Sequence, residues 1–106
     1  MVRQFLHVTK EGTSDDAAAH FGPASGRERA LLSLAAAGFH LAAAHVAPSP
    51  RMRALGLDEC SRALAAARRA CPGEPLVAVG EGQLAAARGD AAGARLAFER
   101  GAAAAA

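Results

Sequence analysis

Alanine fills roughly three of every ten positions of this 106-residue chain, and that constrains its folding more than any other feature. Alanine is the strongest helix former because it loses no side-chain entropy and buries no polar group. The expected fold class is therefore all-α. Aromatic residues are limited to Phe5, Phe21, Phe39 and Phe98. A core of Ala, Leu and Val gains its burial from close approach of helices and not from bulky side chains. The length allows one domain with a modest core.

Glycine and proline divide the chain. Residues 1–26 read as an N-terminal arm or cap. Residues 2–9 suit a short helix or an extended arm. The run Gly12-Thr13-Ser14-Asp15-Asp16 suits a turn and helix start leading into residues 15–21. Gly22-Pro23-Ala24-Ser25-Gly26 is a break. Residues 27–106 read as the helical domain. Its first helix is expected over 27–46, with one stripe at Leu31, Leu34, Gly38, Leu41 and His45 and an adjacent one at Leu32, Ala35, Phe39, Ala42 and Val46. The apolar arc is too wide for a simple surface helix and predicts neighbours on two sides.

Ala47-Pro48-Ser49-Pro50 ends that helix. The second helix is expected to start between Arg51 and Asp58, with Gly56-Leu57-Asp58 as the start and Asp58 as its cap, leaving 48–57 as an exposed loop. Leu57, Cys60, Leu64, Ala67 and Cys71 make its buried stripe, and Arg62, Arg68 and Arg69 face water. Glu74-Pro75 opens a third helix, where proline is tolerated and the carboxylate complements the helix dipole. Gly89 stops that helix in the left-handed conformation, and Asp90 caps a fourth that buries Ala94, Ala97, Phe98 and Gly101.

Gly82 sits mid-way along the third helix, Gly89-Asp90 forms the turn, and Ala94, Phe98 and Gly101 follow as small, aromatic and small residues. This pattern resembles a tetratricopeptide repeat, a unit of about 34 residues built from two antiparallel helices with small residues where they cross. Shifting back by one such period of roughly 34 residues turns Ala94, Phe98 and Gly101 into Cys60, Leu64 and Ala67, and the chain's last alanine into Pro72. Leu34, Ala37-Gly38 and Leu41 suit the first helix of the earlier unit. Ala78, Glu81 and Ala85 depart from the family pattern. The resemblance covers residues 27–106 and implies an α-solenoid fragment of about two units. It also implies a partner-binding concave face on Leu76, Val79, Gly80, Gln83 and Ala86. Those residues include no cation, so the subgroup that clamps a peptide carboxylate is not implied. An apolar groove suits a partner helix or a hydrophobic peptide.

Catalytic and cofactor patterns are not expected. His40 and His45 are five residues apart, about 140° around a helix, which does not suit two ligands on one face. Gly80-Glu81-Gly82 lacks the Gly-Lys-Ser of a phosphate loop. Cys60 and Cys71, read on one helix, would lie about 16 Å apart, too far for a disulfide. Reduced thiols suit an intracellular, cytoplasmic setting. Lys10 is the single lysine against eleven arginines, and Ile, Asn and Tyr are absent. All four are written with AT-rich codons, so the arginine bias reflects codon composition. Arg51, Arg53, Arg62, Arg68 and Arg69 carry no interleaved aromatics, and nucleic acid is not expected. No membrane span, secretory signal or transit peptide is expected.

The functional expectation is a non-catalytic protein–protein interaction module, a scaffold or subunit of a larger assembly. The alternative is a small enzyme or nucleotide-binding subunit with its site at an interface.

Overall fold

A computed structural model describes residues 25–106. The expectations for residues 2–9 and 15–21 lie outside the described residues. Four helices follow one another: α1 Gly26–His45, α2 Pro50–Ala70, α3 Pro75–Ala87 and α4 Ala91–Ala105. The described residues contain no strand.

Each helix start has a local cause. Ser25 Oγ accepts from the Glu28 amide at 3.0 Å, and the Ser25 amide donates to Glu28 Oε2 at 3.3 Å. This reciprocal box satisfies two amides that have no partner inside the helix. At α2 the cap is Ser49, whose Oγ accepts from the Met52 amide at 3.2 Å. The expected start at Gly56–Asp58 is thus corrected, and so is the exposed 48–57 loop. Pro50 opens a helix because the amide it lacks would be unsatisfied there in any case. Asp58 instead meets Arg88 at 3.2 Å. The connection after α1 is short, and the residues that made it look long lengthen the helix.

The turn between α3 and α4 follows the expected chemistry. Gly89 has φ +81°. Its amide donates to the Ala86 carbonyl at 3.0 Å, and the Asp90 amide donates to the Ala85 carbonyl at 2.9 Å. These two bonds form a Schellman ending. Asp90 then accepts from the Gly93 amide at 2.9 Å to start α4.

α1 packs chiefly on α2, and α3 on α4. Gly56, near the start of α2, lies beside the end of α1, where an added Cβ would meet Ala44 at 3.0 Å. Gly26, at the start of α1, lies against the Ala70 carbonyl at the end of α2. Across α3 and α4, Gly82 faces the Phe98 ring, and Gly101 approaches Ala78 and the Pro75 carbonyl. One buried cluster joins Ala37 and Ala44 of α1, Leu57, Cys60 and Leu64 of α2, and Leu84 of α3. A second joins Ala30, Ala67 and Val77. α4 contributes to neither cluster.

Three packing expectations are corrected. Phe98 is 42 % exposed: its ring lies over Gly82, with its other side open. Leu32, Phe39 and Val46 are exposed on α1, because α2 and α3 both reach the helix from its Ala30–Ala37–Ala44 side. Cys71 is half-buried, since it closes the C-terminus of α2 and is not a turn of it.

Candidate functional site

A groove of about 280 Å³ lies between α1 and α3, floored by α2. Leu31, Leu34, Ala37 and Gly38 line its α1 wall, and Cys60 and Leu64 form its floor. Leu76, Val79, Gly80 and Gln83 line the α3 wall. Gly80 brings α3 down onto the floor, since a Cβ there would sit 2.6 Å from Leu64 Cδ2. Gln83 supplies the only amide among the lining side chains, and Cys60 the only thiol. Burial pushes the Cys60 thiol above its ordinary value, and Arg88 partly opposes that shift. The thiol is therefore a neutral floor group and not an activated nucleophile.

Four of the five residues assigned to a concave face, Leu76, Val79, Gly80 and Gln83, meet in this groove. The fifth, Ala86, does not. It lines a shallow hollow with Ala91, Ala94 and Phe98 on the side of α3 that faces α4. The α1 wall was visible in the sequence as the Leu31, Leu34, Gly38 stripe, but periodicity alone does not say which stripe borders a cleft.

The remaining signature positions are structural. Cys60, Leu64, Ala67, Gly82, Ala94 and Gly101 are buried. Pro72 is exposed in the connection after α2, and Gly89 is exposed in the turn after α3.

Two ion pairs set the position of α3. Arg27 Nε donates to Glu74 Oε1 at 3.0 Å, and the Glu74 side chain is only 6 % exposed. This links the start of α1 to the start of α3, where the helix dipole also favours a carboxylate. Arg68 was expected to face water. It is half-buried, and its Nε donates to Glu81 Oε2 at 3.0 Å. A second Arg68 nitrogen bonds the other Glu81 oxygen. Arg100 approaches the same carboxylate at 3.8 Å. The bond to Glu81 holds the Arg68 guanidinium above its ordinary value, with burial opposing. Glu81 thus sits between two arginines, Arg68 of α2 and Arg100 of α4. Arg62 and Arg69 are exposed as expected.

A mixed hollow of about 500 Å³ opens between α2, α3 and α4, with Arg68, Arg88 and Arg100 in its lining beside several Leu and Ala side chains. Arg68 and Arg100 share Glu81, and Arg88 meets Asp58, so each lies within 3.8 Å of a carboxylate. Among the described residues no group of three metal-ligating side chains converges. No described helix is long and apolar enough to cross a membrane. No protein-family model, curated protein or solved structure matches this chain.

Proposed function

We propose that the chain is a non-catalytic protein-interaction module: two antiparallel helical hairpins stacked in the manner of tetratricopeptide units, α1–α2 and α3–α4. The observation that carries this reading is the α1–α3 groove. Its walls come from the first helix of each proposed unit, and nearly all its lining is apolar. Such a surface favours an apolar helix face or hydrophobic peptide, recognised through side chains at i, i+3, i+4 and i+7. The proposed setting is intracellular, where the free thiols Cys60 and Cys71 would stay reduced.

A displayed-peptide selection against the full chain tests this. Enriched peptides should carry apolar residues at helical spacing. Leu76→Glu, in the groove, should abolish their binding, and Arg95→Ala, on α4 and outside the groove lining, should leave it intact. Selection of purely polar peptides, or binding indifferent to Leu76→Glu, would count against the groove.

A further inference from the structure

Helix α1 carries two apolar stripes on opposite sides. Ala30, Ala37 and Ala44 recur every seventh residue and are buried. On the other side Leu32, Phe39 and Val46 also recur every seventh residue, and they are 72 %, 71 % and 81 % exposed. Ala35 and Ala42 fall between them, three residues on in each case, and are exposed as well. From residue 30 to 47 the helix and its end contain no Asp, Glu, Lys or Arg. An exposed apolar stripe of this kind marks an interaction surface, and a seven-residue repeat with a four-three spacing is the seam of a helix pair.

We propose that a second copy of this chain covers the outer stripe, through antiparallel packing of α1 on α1. The order of large and small residues is self-complementary in that direction. With the two-fold axis beside Ala37, Leu32 faces the partner's Ala42, and Ala35 faces the partner's Phe39. Symmetry supplies the other two layers. Every layer then holds one bulky side chain and one methyl, so the helices approach evenly along the seam. Parallel pairing would set Leu on Leu and Ala on Ala, which alternates crowding with gaps. The antiparallel arrangement also lays the positive end of each helix dipole beside the negative end of the other.

The area fits a reversible dimer. In this register Val46 falls beside the partner's Glu28, beyond the four layers, so Leu32, Phe39 and the two alanines offer on the order of 400 Å² per copy, or roughly 800 Å² in the pair, the size of a weak, transient contact. Association in the micromolar range is the expected consequence. The seam lies on a different side of α1 from the groove, so dimer formation and peptide capture can fail independently.

Light scattering on the full 10.7 kDa chain, from about 1 µM to about 100 µM, should show the mass rising towards twice that value. Phe39→Glu should return it to monomer with its helical circular dichroism intact, because Phe39 is exposed in the single chain. Ala35→Leu with Ala42→Leu should also weaken the dimer, although it adds apolar surface, by filling the holes that receive Phe39 and Leu32. In a Cys71→Ser background, Leu32→Cys with Ala42→Cys should give a covalent dimer on oxidation, and Leu32→Cys alone should not. A full chain that stays monomeric throughout overturns the proposal. So does dimerisation that appears only after removal of residues 1–24, since that segment would then be the cover. A tighter dimer from the double leucine variant, or cross-linking of Leu32→Cys alone, overturns the antiparallel register.

Discussion

The α1–α2 pair and the α3–α4 pair solve one problem, the close approach of two helices, with different chemistry. The first pair is long, 20 and 21 residues. It closes along an alanine stripe, with Ala37 and Ala44 clustered with Leu57, Cys60 and Leu64 and Ala30 with Ala67, and with Gly26 and Gly56 easing the approach at its two ends. The second pair is short, 13 and 15 residues. It closes at glycines, with the Phe98 ring over Gly82, and Gly101 against Ala78 and the Pro75 carbonyl. An alanine stripe spreads contact along a helix, so the first pair holds most of the buried apolar cluster. The glycine contacts of the second pair are local, and α4 lies outside both clusters. Stability therefore resides mainly in α1, α2 and the near side of α3, with α4 attached to them.

The sharpest test compares Leu64 with Phe98, which the proposed repeat would make equivalent. Leu64 is 2 % exposed, and Leu64→Ala should cost about 2–5 kcal/mol in denaturant unfolding. Phe98 is 42 % exposed, and Phe98→Ala should cost only about 1–2 kcal/mol, well below a buried phenylalanine. Equal losses would break the comparison. Overpacking should separate the pairs next. Ala37→Leu intrudes into the main cluster and should cost about 3 kcal/mol, whereas Ala94→Leu, beneath a ring with open space beside it, should cost about 1 kcal/mol. A reversal in melting temperatures would move the core to the second pair.

Glu81 ties the second pair to the first through Arg68. Glu81→Gln should lose about 0.5–1 kcal/mol, as partly exposed pairs do, and the difference should shrink in high salt. No salt dependence would mean that Glu81 acts by packing alone.

The smallest effect is chemical. Cys71 should react with a thiol reagent before Cys60, which the first pair buries. Because the folded Cys60 thiol titrates above its ordinary value of 9.0, the folded state holds its proton more tightly than the unfolded chain. Its stabilising contribution is fully present below pH 9.0 and is lost as pH rises through the raised value. Cys60→Ala should flatten the alkaline fall in unfolding free energy, and an unaltered slope would remove Cys60 as its source.

Much of the first-level architecture was legible because its causes are local. The Gly89 stop, the Asp90 cap, the Pro75 start and the Leu57, Cys60, Leu64, Ala67 stripe each depend on residues within about two helical turns. The Ser49–Pro50 start was local too, but proline carries two opposed meanings. As a breaker it ends α1. As the first residue of α2 it opens a helix, which is legible only when the serine before it is taken as the cap.

The sequence by itself determined where helices form, how they end and which stripe of α2 is apolar enough to bury. These follow from backbone propensity, capping and period, which act between neighbours along the chain. Only the tertiary structure decided which apolar stripe of α1 stays open, that Leu76, Val79, Gly80 and Gln83 share a groove while Ala86 turns to α4, and that Arg68 closes on Glu81. Burial is decided by what packs against a helix from outside. Ala37 and Phe39 are two residues apart on the same helix, both apolar, and α2 reaches only the first, although Phe39 has more apolar surface to bury.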